Sequence, residues 1–289
     1  MRMCSYDRAE VASFGSVAWP LLAADPVRHT DSVTVLDALL RARADPARIA
    51  EIATLLTVHD GGALVGAVLR TAGRPALVSA VRPEHAEPVD RALGDLDPEL
   101  PGVTGLASSA EPLAAAHAAR TGVRLRVDMR MRVFALGSPT PVCGVPGAAR
   151  RATSADVDLL AGWLQEFRRE AIRRLADPLP VADRIRRGLA AGDALLIWEV
   201  DDRPVALAMT RPPIAGMSRI GPVYTPLEHR RHGFGAAVTA AAVDWALAAG
   251  ASRVVLFVDQ ANPTSNRLYQ RLGFRPAHDS VELSFRPPR

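Results

Sequence analysis

Three pieces of one stretch decide how the chain reads: Ile220-Gly221-Pro222-Val223-Tyr224-Thr225, Arg230-Arg231-His232-Gly233-Phe234-Gly235, and Asn262-Pro263-Thr264-Ser265 ahead of Tyr269. The first is a short run with strand character. The second is a glycine loop that opens an alanine-rich helix from Ala236 to Ala249, stopped at Gly250. Val254 to Val258 is a β-branched run and predicts the next strand. It leads through Asp259-Gln260-Ala261 into a second helix that closes at Gly273.

The glycine loop meets a physical need. Gly233 and Gly235 lack a Cβ, so the backbone can approach a ligand closely and adopt conformations barred to other residues. At the start of a helix, free N–H groups and the positive end of the dipole make a site for a pyrophosphate. Arg230, Arg231 and His232 add charge beside it. In the second helix Asn262 is a natural N-cap, with Pro263 at the first helical position. Asn262, Ser265 and Tyr269 are spaced to share one helix face, while Leu268 and Leu272 turn toward a core. A Rossmann dinucleotide site fits poorly. A proline-containing segment separates strand from glycines, and Val238 stands where that motif wants a small residue.

Arg230-x-x-Gly233-x-Gly235, followed by Asn262-x-x-Ser265-x-x-x-Tyr269-x-x-x-Gly273-Phe274, resembles the GNAT superfamily of N-acetyltransferases. Both motifs occur in order, with the expected helix and strand between them. The resemblance covers the C-terminal half directly and the N-terminal half only by element order. It implies acetyl-CoA as co-substrate and no metal. By the same resemblance Val223, Tyr224 and Thr225 lie along the pantetheine arm, with Val223 and Thr225 offering backbone groups. Arg230, Arg231, His232, Gly233, Phe234, Gly235 and Ala236 cradle the pyrophosphate, and Asn262, Ser265 and Tyr269 sit near the thioester.

The chemistry implied by the resemblance is direct attack by an amine, with Tyr269 as general acid to the departing thiolate. The base is open. The strand before Thr225 carries no carboxylate; Glu166, Glu170, Glu199 and Glu228 are candidates, each with a bland reading as a solvated surface charge. His232 could accept a proton, although its place in the loop favours phosphate contact. Glu166 and Glu170, at i, i+4 on one helix, are either solvated or line an acidic mouth for a cationic amine. Trp163 and Phe167 read as core, or as an apolar wall of the acceptor pocket.

The remaining sequence bounds the function classes. A chain of 289 residues suffices for two domains. All 35 basic residues are arginine, and the formal charge of +4 suits an anionic small ligand without demonstrating one. Aromatic content of 5% offers no stacking platform for nucleic acid. Cys4 and Cys143 do not make a disulfide framework, and no signal peptide or spanning segment is read. The expectation is a cytoplasmic protein with no nucleic-acid or membrane partner.

Residues 1 to about 50 read as helical, with Pro20 expected to break or kink the first helix. Ile52–Val58 and Ala63–Leu69 flank Asp60-Gly61-Gly62 as a hairpin, and Pro75 to Ala80 adds a strand. Then come a helix (Glu84–Leu93), a strand (Val103–Ala107), a helix (Ala110–Arg120) and a long strand (Arg124–Leu136). After a Pro/Gly-rich connection the order repeats: helices over Ala155–Leu175 and Val181–Ala190, a hairpin of Ala194–Val200 with Val205–Thr210, and the stretch from Ile220 onward.

The fold class is therefore α/β, a mixed sheet flanked by helices in two tandem GNAT-like domains. Residues 1–138 form a degenerate copy, 139–148 a linker, and 149–289 the acetyl-CoA-binding catalytic domain. The degenerate assignment rests on Val81-Arg82-Pro83-Glu84-His85-Ala86-Glu87, an acidic, glycine-free turn where the second copy has its loop. An unrelated helical-plus-hairpin domain is the competing reading. The activity implied is an acetyl-CoA-dependent N-acetyltransferase acting on a small-molecule or protein amine. Alternatives are a mycothiol synthase-like acetyltransferase, which shares the tandem halves, and a protein that binds or senses acyl-CoA without turnover.

Overall fold

The chain is seen in a computed structural model that describes residues 1–171 and 180–287. The first repeat runs β1 (Arg2–Ser5), α1 (Val11–Ala24), α2 (Thr30–Arg41), α3 (Pro46–Ala50), β2 (Ile52–Asp60), β3 (Ala63–Thr71) and β4 (Ala76–Ser79). It continues through α4 (Ala86–Leu96), β5 (Gly102–Leu106), α5 (Ala107–Thr121) and β6 (Arg124–Leu136). The second runs β7 (Ala148–Arg151), α6 (Val157–Ala171), α7 (Val181–Ala190), β8 (Ala194–Val200), β9 (Arg203–Thr210) and β10 (Met217–Tyr224). It closes with α8 (Phe234–Ala248), β11 (Arg253–Asp259), α9 (Pro263–Arg271) and β12 (Phe274–Arg286).

Pairing follows the same plan in both. β1 pairs antiparallel with β2, β2 with β3 and β3 with β4, and the crossover through α4 sets β5 parallel to β4. In the second repeat β7, β8, β9 and β10 pair antiparallel in turn, and the crossover through α8 sets β11 parallel to β10. An α/β architecture of mixed sheets with helices results, as the sequence pattern implied. The compact units do not end where the repeats do. The first comprises Met1–Arg132, Asp259–Ala261 and the chain from Ala277 on; the second comprises Val133–Val258 and Asn262–Pro276. Each repeat's last strand thus runs from one unit into the other, and Ser280–Ser284 of β12 pair with Leu106–Gly102 of β5.

Within the second unit, alternation along the strands divides the core in two. Leu196, Ala206, Ala208 and Ile220 face a cluster built with Phe234, Val238 and Ala242 of α8 and with Tyr269, Leu272 and Phe274. Leu195, Ile197, Leu207 and Tyr224 face the other way, onto Leu160 and Leu164 of α6 and Ile185 of α7. Helices therefore cover both sheet faces, and the end of β10 has side chains on each.

Several local expectations change. α1 continues through Pro20 without a break. Phe14, Ala18 and Leu22 are buried, and packing on β2 and β3 outweighs the lost hydrogen bond at the proline. The sequence pattern does not show the short edge strands β1 and β7 or the long β12; the first two carry too few residues to display a period. The helix expected over 155–175 is α6, and its last positions, 172–175, lie outside the described residues.

Candidate functional site

The site begins where a ladder stops. β10 and β11 pair from Met217/Arg253 to Ile220/Leu256, and both strands run on beyond that point. β10 also shifts register against β9 between Ile220 and Val223, so Gly221 and Pro222 bulge. Past the bulge, Val223 packs toward the α8 face and Tyr224 toward the α6 face. The backbone of Val223 thus stands at a strand edge where the pairing with its parallel neighbour has ended and an extended ligand can pair.

Thr225 and Pro226 lead into a short 3-10 turn, Leu227–His229, and then into the loop. Arg231 and Gly233 both take the left-handed conformation, with φ of 67° and 86°. Alternate left-handed residues turn successive N–H groups to one side, which makes an anion-binding concavity. Gly233 is the N-cap of α8 and no side chain caps the helix. The α8 ladder opens with Ala237 N–H to the Gly233 carbonyl, so the N–H groups of Phe234, Gly235 and Ala236 lack a helical acceptor. A Cβ on Gly233 would come within 2.8 Å of Val145, and one on Gly235 within 3.2 Å of Thr225 Oγ1. The loop thus has the free donors, positive dipole end and close backbone that a pyrophosphate requires. Arg231 and His232 are exposed beside it, and His232 stacks on Phe234 with ring centres 5.5 Å apart.

α9 carries the second motif. Asn262 is its N-cap, and the side-chain oxygen accepts from Ser265 N–H at 3.0 Å, with Pro263 in the first turn. That geometry bears out the capping expectation and also occupies the Asn262 side chain. Ser265 is half-buried. Tyr269 is 8% exposed and packs edge-to-face on Phe274. Among the described residues no hydrogen bond reaches its hydroxyl, and burial pushes its pKa up to about 12. The phenol is therefore protonated at neutral pH.

Two residues from the sequence-derived set turn elsewhere. Tyr224 directs its hydroxyl at the carboxylates of α6, at 3.0 Å from Glu166 and 3.1 Å from Glu170. Burial, reinforced by those two acceptors, drives its pKa well above the usual phenol value. Arg230 donates through Nε to the Thr225 carbonyl at 2.9 Å and through a terminal nitrogen to Glu170 at 2.6 Å, with its guanidinium over the Tyr224 ring. Burial opposes its charge, but Glu170 outweighs that and holds the guanidinium pKa above its ordinary value. The acidic pair on α6 is thus not merely solvated. Glu199 is less available as a base, since Arg150 binds it at 2.7 Å and also grips Asp156. Phe167 meets the Tyr224 ring edge-on, and it and Trp163 pack on the α6-side core.

The Pro/Gly-rich connection is also part of the second unit's surroundings. Gly137 N–H and Thr140 N–H bond to the carbonyls of Gly273 and Leu272, and Trp198 donates to the Pro146 carbonyl at 2.8 Å. Val142 and Val145 pack on the α8-side core, with Val145 against the glycine loop. No periodic signal marks such a segment; its prolines and glycines read equally well as a free connection.

Residues 159–274 match the family described as Acetyltransferase (GNAT) family. No curated protein matches the chain. Among solved structures, an acetyltransferase from the GNAT family of Colwellia psychrerythraea is 11% identical, with 99% of this chain and 100% of that one covered and a TM-score of 0.62. A GCN5-related N-acetyltransferase from Sphaerobacter thermophilus is 16% identical over 100% of this chain and 96% of the other, at 0.60. Another from Kribbella flavida is 20% identical over 79% and 88%, at 0.51. At these identities the likeness establishes the fold, and its extent across the whole chain includes both repeats. Among the described residues, no cluster of His, Cys, Asp or Glu could hold a metal, and no helix is long and apolar enough to cross a membrane.

Proposed function

We propose that this chain, in which residues 159–274 form a domain of the GNAT acetyltransferase family, transfers an acetyl group from acetyl-CoA to an amine. The observation that carries the reading is the uncapped start of α8, preceded by left-handed Arg231 and Gly233 and lying past the end of the β10–β11 ladder. The N–H groups from Gly233 to Ala236 hold the pyrophosphate, and the free edge of β10 at Val223 pairs with the pantetheine arm. Acetyl-CoA supplies an acyl group activated as a thioester.

Tyr269 does the remaining chemistry on the cofactor side. Its hydroxyl donates to the sulfur as the C–S bond breaks and restores the thiol. Burial disfavours phenolate and bare thiolate alike, so a donor of raised pKa still matches its acceptor. The acceptor arrives as a free amine, loses a proton to solvent water on attack and leaves as the amide, while Tyr269 regains its proton from solvent. The Asn262 side chain, accepting from the Ser265 N–H, fixes the start of the helix that carries Tyr269. The setting we infer is a reducing cytoplasm, in which Cys4 and Cys143 stay thiols.

Calorimetric titration with acetyl-CoA, on the native chain and on a Gly233→Asp, Gly235→Asp double variant, tests the reading. Binding to the native chain and its loss in the folded variant are expected. No binding to the folded native chain overturns the proposal. Binding without thiol release across an amine library would leave an acyl-CoA-binding protein.

A further inference from the structure

We infer that Glu170 and Arg230 form a clamp that sets the glycine loop for pyrophosphate, so that Arg230 acts as a positioning residue and not as a phosphate ligand. The inference rests on the acetyl-CoA reading above and concerns how that site is held.

Three contacts commit the Arg230 head. Nε donates to the Thr225 carbonyl at 2.9 Å, a terminal nitrogen donates to Glu170 Oε2 at 2.6 Å, and the guanidinium carbon lies 5.7 Å from the Tyr224 ring centre. Glu170 uses its other oxygen on the Tyr224 hydroxyl, so a single carboxylate ties the end of β10 and the root of the loop to α6. Arg230 sits at the junction of turn and loop. It follows the 3-10 turn and has an extended backbone, and left-handed Arg231 comes next. Tying its side chain back to Thr225 closes the segment between them and fixes the point from which Arg231 to Gly233 set out.

Swinging this head to a phosphate would break the bond to Thr225, strip Glu170 of its cation and uncover the Tyr224 ring. The backbone N–H groups and the dipole of α8 hold the anion without that loss. The charge a phosphate would meet is already paired at 2.6 Å. Loop geometry, and not a guanidinium, is what α6 contributes to cofactor affinity.

The two roles predict opposite signs for one substitution. If Arg230 bound pyrophosphate, Glu170→Gln would free it, remove a nearby negative charge and tighten acetyl-CoA binding. A clamp instead weakens. The ion pair is part-exposed, at 36% and 47%, so solvent screening limits the loss to about three- to fivefold in Kd. Arg230→Lys, which keeps charge but cannot span Thr225 and Glu170 together, should weaken binding comparably. The double variant should lose no more than the worse single one, because both cut the same link.

The experiment is calorimetry with acetyl-CoA on all four proteins, beside steady-state kinetics with acetyl-pantetheine, which has no pyrophosphate. Acetyl-CoA binding is expected to weaken by a larger factor than the KM for acetyl-pantetheine rises. Tighter or unchanged acetyl-CoA binding in Glu170→Gln overturns the clamp. Hydrogen exchange on the ligand-free proteins separates the two readings. Faster exchange of the His229, Arg230 and Ala237 amides, which are hydrogen-bonded at the two ends of the loop, in Glu170→Gln supports the clamp even if the native chain binds no acetyl-CoA, which would sink the acetyltransferase reading alone. Unchanged exchange overturns the clamp.

Discussion

The two repeats pass from strand to helix in different ways at the same point of the plan. In the first, β4 is followed by a 3-10 turn at Pro83–His85, and α4 starts at once with Ala86. In the second, β10 is followed by a 3-10 turn at Leu227–His229, and Arg230 to Gly233 intervene before α8. The first turn places Glu84 and Glu87 at the helix start, where carboxylates satisfy the dipole and repel another anion. The second leaves its helix start bare of acid and bordered by arginines.

The helices differ likewise. In the first repeat Asp90 of α4 binds His117 of α5 at 2.7 Å and Arg120 at 2.6 Å, and His117 stacks on Phe285. In the second, α8 faces its core with alanine and valine, and Tyr269 of α9 has no hydrogen-bond partner among the described residues. The first repeat pairs these helix polar groups within the fold, whereas on the proposed acetyl-CoA reading the second leaves the Tyr269 hydroxyl and the α8 start for a ligand.

If this contrast is functional, the largest effect belongs to Tyr269. Tyr269→Phe should cut turnover about 10²-fold or more while acetyl-CoA affinity stays within about twofold, read by rapid-quench thiol release and by calorimetry. Equal turnover in mutant and native chain removes Tyr269 from the mechanism and erases the contrast between α9 and α5.

In the first repeat the corresponding polar group should matter for stability alone. Asp90→Ala leaves Arg120 and the buried His117 without their acceptor and should cost about 3 kcal/mol in denaturant unfolding. Acetyl-CoA affinity of the folded fraction should be unchanged. A variant that keeps its stability but loses cofactor binding would show that the first repeat's polar groups serve the ligand after all.

A smaller difference separates the repeats in acid. Burial lowers the pKa of His29 to about 4, and its Nδ1 is buried without a partner. The unfolded chain therefore binds more protons than the folded one between about pH 6.5 and 4, so stability falls as pH drops through that window. The loss should reach roughly 2–3 kcal/mol by its end, and His29→Gln should flatten it. In the second repeat the bond from Arg150 lowers Asp156 to about 2. That contribution is full above about pH 4 and is lost only as pH falls toward 2. Denaturant titrations from pH 7 to 3 on the native chain and His29→Gln would read the difference; an unchanged slope rules His29 out.

How much of this was legible depends on the range of each interaction. The glycine loop, the Asn262 cap and the paired hairpins depend on neighbours within a few residues, and each reads in the chain much as it folds. The tandem plan was legible as well, since element order survives where sequence does not. β1 and β7 were not, because a strand of Arg2–Ser5 or Ala148–Arg151 is too short to display alternation. Nor was the packing of Gly137–Gly147, whose prolines and glycines fit a free connection and a close-fitting one alike.

Arg230 marks the boundary most clearly. Its place in a basic, glycine-bearing loop at a helix start was fixed by local order, as was the protonated phenol of Tyr269 on the capped helix α9. Where the Arg230 head points was settled by Glu170, 60 residues earlier, once folding set α6 across the end of β10. Glu166 and Glu170 read alone as either a solvated pair or an acidic mouth, because their partners come from another element. The strand ends that run between the two units have the same origin: β12 pairs with β5 far from it in the chain. Local backbone chemistry can be read residue by residue. The partner of a long charged side chain, or of a strand edge, exists only after the chain has closed on itself.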